Sequence, residues 1–178
     1  MDIASLVAGI EPFDALERSH QAAALEWIAS TRDIYRRVKP ATPSPHLVSY
    51  VILADPADRS VFLVDHRLAG LWLPAGGHVE PLEDPLTTAR REAMEELGVD
   101  VPVTGPVFLT VTPTTGPDPH TDVSLWYLLT GDRSLPITLD AREFAGGRWW
   151  TPAEITAAAP SGFEPHIGRF LAKMAGRV

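Results

Sequence analysis

Residues 85–97, PLTTARREAMEEL, are the most constrained segment of this chain. Asp84 offers an N-cap, Pro85 suits the first helical position, and Gly98 follows as a C-terminal stop, so a helix is bounded at both ends. Leu86, Ala89, Ala93 and Leu97 form one apolar stripe along it. Glu92, Glu95 and Glu96, at i, i+3 and i+4, fall within an adjoining arc of about 100°. One side therefore packs while the next presents three carboxylates together. Like charges at this spacing cost a few tenths of a kcal/mol on an exposed helix, and more when partly buried. Within the helix Arg91, four residues before Glu95, partly offsets them. A solvated acidic face is the ordinary explanation of such a run. It loses ground here because Gly76 and Gly77 lie just upstream, where backbone can approach a ligand, and Glu80 and Glu83 add carboxylates in between. A hard divalent cation relieves such a cluster: Mg²⁺ takes oxygen ligands and commonly shares them with substrate phosphates.

The 178 residues suffice for one domain with a terminal extension. The absence of cysteine excludes a disulfide framework, a thiolate metal site and a cysteine nucleophile. With 15 Lys and Arg against 23 Asp and Glu, the net charge of -8 argues against a broad basic face for nucleic acid. Half of that excess lies between residues 80 and 96, which hold six acids and two bases. No segment approaches the ~20 apolar residues of a membrane span, and the N-terminus lacks the basic start of a secretory signal. The chain reads as cytoplasmic.

Residues 12–31 carry a helical pattern, and the basic run Arg32, Arg36, Arg37 and Lys39 leads to Pro40, Pro43 and Pro45. This divides an N-terminal helical extension, 1–45, from a main domain, 46–178. Beyond the prolines, residues 47–53 and 61–65 flank an Asp-Pro-Ala-Asp turn as a hairpin. Further strands are expected at 99–103, 107–111, 124–129 and 148–150, with an exposed loop at 112–121. Helices are expected from Thr151, by a capping-box spacing, and over 164–175. Strands with inserted helices predict an α/β domain with a mixed β-sheet covered on both faces.

The stretch from Gly77 to Val99 resembles the Nudix box, G-x5-E-x7-R-E-U-x-E-E-x-G-U. Gly77, Glu83, Arg91, Glu92, Glu95, Glu96 and Gly98 match its fixed positions, and Val99 its last aliphatic one. Ala93 is smaller than the pattern prefers. Seven identities at about one in fifteen each arise by chance on the order of once in 10⁸ windows. The lead-in LWLPAGG also looks like the family's. The resemblance implies a Nudix-type α/β/α sandwich. It further implies a hydrolase using Mg²⁺, or Mn²⁺, to cleave the diphosphate linkage of a small nucleotide such as a nucleoside triphosphate or nucleotide sugar. It makes Glu92, Glu95 and Glu96 the metal ligands and gives Arg91 the role of orienting a box glutamate. Glu83 and Gly98 become structural, Gly77 a turn or carbonyl contributor, and Glu80 a weaker ligand candidate. The general base stays open among Glu92, Glu95, Asp118, Asp122, Asp140 and Glu143. Glu95 and Glu92 rank first, and Glu143 next, because some relatives carry an acid just before the strand at 148–150.

Outside the box, His120 and Asp122 alternate on one face and point into a substrate pocket or cap the strand. Arg67 contacts a phosphate or faces solvent. Trp72, Trp126 and Tyr127 stack on a base or fill the core. The six histidines show no metal-ligand spacing, which argues against a histidine zinc site. A non-catalytic nucleotide sensor of the same fold is the alternative function, but such proteins usually lose box residues. An isopentenyl-diphosphate-type isomerase is disfavoured by the missing cysteine. The apolar N-terminal helix serves a homodimer interface or caps the sheet.

Overall fold

The computed structural model describes residues 2–38, 42–114 and 118–175. Lys39, Pro40 and the middle of the loop expected at 112–121 lie outside the described residues. The elements run α1 (Ile3–Ala8), α2 (Ala15–Ser30), β1 (His46–Asp55), β2 (Ser60–His66), β3 (Leu71–Leu73), β4 (Ala75–His78) and α3 (Pro85–Leu97). Then follow β5 (Val103–Pro113), β6 (Thr121–Thr130), β7 (Phe144–Trp150), α4 (Pro152–Ala157) and α5 (Ile167–Ala175).

The seven strands form one mixed sheet, ordered β3-β2-β1-β6-β5, with β4 paired to β1 and β7 to β2. β1 and β6 are parallel; the other pairs are antiparallel. β1 pairs with β2 through Leu53 to Asp55, and with β4 through Val48 to Val51. The sheet thus splits beside β1, and the acidic helix α3 packs over the split through buried Ala89, Ala93 and Leu97. Val7, Ile10 and Ala24 of the N-terminal segment share that core with Leu47, Val51 and Leu125. On the opposite face α4 and α5 cover Ile52, Leu63 and Trp126. The small Ala93 lies 2 % exposed in the first core, where its size permits close helix–sheet approach.

Several expected boundaries shift. Residues 99–102 are not a strand. Gly98 takes φ 68°, and its amide and that of Val99 return to the Met94 and Ala93 carbonyls, so Val99 is apolar because it packs under the helix end. Residues 3–8 form a helix, capped by the Asp2 carboxylate accepting from the Ser5 amide at 2.9 Å. The final helix begins at Ile167, after a short turn over Pro160–Gly162. Trp126 and Tyr127 are wholly buried, and Trp126 stacks on Phe170 at 5.3 Å, which gives them to the core.

Glu164, just before α5, is 3 % exposed, and burial pushes its carboxyl up to about 8. The folded state therefore holds its proton more tightly than the unfolded chain does. The stability this adds is complete below the ordinary glutamate value of 4.5 and is lost as pH rises through about 8. Urea midpoints measured from pH 6.5 to 8 should fall less steeply in Glu164→Gln than in the parent. The difference should approach one proton, about 1.4 kcal/mol per pH unit. Equal slopes would show that Glu164 does not titrate in this range.

Candidate active site

The loop from β4 into α3 is fastened by Glu83. Its carboxylate accepts from Thr88 Oγ1 at 2.8 Å and from Arg91 Nε and Nη2, each at 3.1 Å. Arg91 Nη1 also donates to Glu92 at 2.7 Å and to Glu95 at 3.2 Å. One guanidinium thus pins the loop and aims two of the three helix carboxylates. Glu83 and Glu92 hold the guanidinium proton more firmly, and the Arg91 guanidinium in turn keeps the Glu83 carboxyl below its usual range.

Glu92 and Glu96 are 8 % and 7 % exposed. Burial raises both carboxyls, that of Glu96 to about 8, with the nearby Glu92 and Glu143 charges adding to the effect. Glu96 is steadied by the Gly76 amide, which donates to it at 2.7 Å. Glu143, on the loop before β7, sits close enough to Glu96 to help raise its carboxyl. Glu95 is more than half exposed at the rim. These oxygen donors fit a hard divalent ion such as Mg²⁺ or Mn²⁺.

The two glycines ahead of the helix stand against different neighbours, backbone at Gly76 and the end of a side chain at Gly77. Gly76 has φ 146°, and a Cβ there would run into the Ser49 carbonyl. At Gly77 a Cβ would overlap the Glu92 carboxylate. Gly77→Ala should therefore fold and displace Glu92. With whatever substrate the parent turns over, kcat should fall about 10–100-fold, the usual cost of disturbing a ligand's support. An unchanged kcat would show that Glu92's placement does not matter.

These groups line a cavity of about 930 Å³ together with Arg36, Tyr50, Arg67, Glu80, His120 and Asp122. Arg67 is there as a brace: its Nε donates to the Ala141 and Phe144 carbonyls at 3.2 and 3.1 Å, and its amide to the Glu143 carbonyl. Asp140 is taken by Arg142, which holds its carboxyl near 2. Asp118 is exposed, and its carbonyl meets the His120 ring.

The cavity wall also holds a group that linear spacing concealed. His46 at the start of β1, His78 at the end of β4, and His120 and Asp122 at the start of β6 bring one ligand atom each within 4.8 Å of one another. Linear spacing gives no sign of this group, because strand pairing assembles residues as far apart as 46 and 122. His46 carries no signal that singles it out, because in the sequence it reads as an ordinary strand-end residue.

A mixed sheet between two helical layers, with a carboxylate-lined cavity beside a glycine-led helix, defines an α/β/α acid-site protein. The NUDIX domain model matches residues 44–174, and the chain belongs to the Nudix hydrolase family. Among solved structures it is similar to the E. coli dihydroneopterin triphosphate pyrophosphohydrolase, with TM-score 0.63 and 15% identity over 82% of this chain and 99% of that one. A Nudix-family hydrolase from Clostridium perfringens gives TM-score 0.59 and 19% identity, covering 75% and 98%. A C. elegans Ap4A hydrolase gives 0.55 and 17%, covering 74% and 96%. No curated protein matches the sequence. Among the described residues, no helix is long and apolar enough to cross a membrane.

Proposed function

We propose that the chain is a Mg²⁺-dependent pyrophosphohydrolase, with Mn²⁺ as a substitute, cleaving the diphosphate linkage of a nucleoside diphosphate derivative. The observation that carries this reading is the convergence of Glu92, Glu95, Glu96 and Glu143 on one cavity, with Arg91 aiming two of them. Glu92 and Glu96, buried and raised by burial, supply the ion's principal oxygens, and Glu95 completes the set from the rim. When bound, the ion neutralises diphosphate charge and lowers the pKa of coordinated water.

The chain's own groups do the rest. Arg91 holds the glutamates against their mutual repulsion, and the Gly76 amide keeps Glu96 facing the cavity. Glu95, open to solvent, accepts a proton from the attacking water, while Glu143 keeps a second carboxyl against Glu96. The new bond forms between water oxygen and phosphorus as the bridging P–O bond breaks. Arg36 supplies positive charge within the same wall for phosphate. The structural relatives named for dihydroneopterin triphosphate and Ap4A act on phosphoanhydrides, which agrees with this class.

The test is incubation with Mg²⁺ and a panel of nucleoside triphosphates, nucleotide sugars, ADP-ribose and dinucleoside polyphosphates, with products resolved by chromatography. Hydrolysis of at least one, lost on chelation, is expected. Tight nucleotide binding without turnover would overturn the enzyme reading in favour of a sensor.

A further inference from the structure

We propose that His46, His78, His120 and Asp122 form a second metal site, for a divalent transition ion of the zinc class, separate from the carboxylates of α3. Neither its residues nor its preferred metal belong to the box, and its failure would leave the hydrolase reading untouched.

The geometry at two rings carries the argument. His46 Nδ1 lies 2.6 Å from the Pro43 carbonyl, and His120 Nδ1 lies 2.8 Å from the Asp118 carbonyl. A carbonyl oxygen only accepts, so both rings place their proton on Nδ1. In the neutral rings each Nε2 is then a lone pair, whereas an imidazolium would donate from Nε2 to Asp122. Both Nε2 atoms face Asp122 Oδ1, at 3.2 Å from His46 and 3.3 Å from His120. His46 is wholly buried, and neither its Nε2 nor Asp122 Oδ1 has a hydrogen-bond partner. Acceptors confronting one another away from water are costly unless a cation joins them.

The separations also suit an ion. Metal–ligand bonds of about 2.0–2.1 Å in a tetrahedral zinc site put neighbouring ligand atoms about 3.3 Å apart. The two Nε2–Oδ1 distances lie at that value. The backbone carbonyls on Nδ1 are the partners that usually orient metal-binding imidazoles. His78 completes the set from β4, its ring centroid 4.7 Å from that of His46. With ligand atoms spread over as much as 4.8 Å, closing on an ion requires a shift on the order of 1 Å in the outlying group. Imidazole-rich donors select zinc-class ions over Mg²⁺. The ion would tie together the ends of β1, β4 and β6 and the segment from Asp118 to Asp122, fixing this wall of the cavity.

The full chain, stripped by chelator and held in millimolar Mg²⁺ to fill the carboxylate site, is titrated with Co²⁺ and, separately, with Zn²⁺. The expected result is one equivalent bound, with the visible absorption of tetrahedral Co²⁺ and displacement of Co²⁺ by Zn²⁺. His120→Ala and Asp122→Asn should each weaken Zn²⁺ binding at least tenfold with circular dichroism unchanged, and Glu95→Gln should leave it unaltered. Zinc-edge absorption on the parent protein provides a test independent of variants and should show imidazole scattering. No saturable Co²⁺ or Zn²⁺ binding, an oxygen-only shell, or binding lost in Glu95→Gln but kept in His120→Ala would each overturn the proposal.

Discussion

Glu96→Gln is expected to fold normally and to lose about 10²–10³-fold in kcat, the scale seen when one group that stabilises transition-state charge is removed. Glu96 is 7 % exposed, and burial raises its carboxyl to about 8, so near neutral pH the ion-free fold favours the uncharged side chain. A glutamine meets that preference. Its carbonyl oxygen can still accept the Gly76 amide hydrogen that now reaches Glu96 at 2.7 Å. The variant removes a negative charge and an oxygen donor while keeping shape and the steadying bond. Stability and turnover should therefore separate: the urea midpoint stays within about 0.5 kcal/mol of the parent or rises, while hydrolysis of the best panel substrate collapses at saturating Mg²⁺. Near-full activity would remove Glu96 from the metal set. A joint loss of folding and activity would give it a structural role instead.

The parts of the fold legible in the sequence were those fixed by local chemistry. The helix Pro85–Leu97 was readable to the residue, because Asp84, Pro85 and Gly98 each have a backbone reason to stand where they do. The β1–β2 hairpin was readable from its turn and β-branched runs. What escaped depends on partners distant in sequence. β3 and β4 are short, and their run LWLPAGGH is broken by Pro74 and two glycines, so only pairing with β2 and β1 makes them strands. Val99 reads as the start of a strand because a residue buried under a helix end is as apolar as one in a sheet. The acids of α3 were visible through helical periodicity. Glu143 could be offered only as one of several acids, since its contact with Glu96 spans 47 residues. The histidine cluster leaves no trace in linear spacing for the same reason: sheet register brings His46 opposite Asp122.

The N-terminal segment, taken from sequence as an extension over residues 1–45, supplies the largest expected effect on stability. Glu17 of α2 is wholly buried, and its Oε1 accepts from Lys173 Nζ of α5 at 2.7 Å and from the Leu109 amide at 3.2 Å. Its Oε2 accepts from the Phe13 amide at 2.7 Å. Lys173 is 3 % exposed and also donates to the Glu11 carbonyl at 2.7 Å. Glu17→Gln keeps the volume but leaves a buried ammonium without its counter-charge, and one amide oxygen cannot serve every donor the carboxylate served. Removing one member of a buried pair costs about 3–5 kcal/mol. At about 2–4 °C per kcal/mol for a chain of this length, Tm should drop by roughly 6–20 °C. Combining Glu17→Gln with Lys173→Met removes both charges and should recover much of the loss, as replacing a buried pair by apolar groups often does. A Glu17→Gln loss below about 1 kcal/mol would show the pair to be dispensable. The shape of the transition tests the division at residue 45 as well. The pair joins α2 to α5, and Val7, Ile10 and Ala24 share the sheet's core, so unfolding should stay a single transition shifted downward. An early, separate transition in the variant would instead mark residues 1–45 as a unit that detaches on its own.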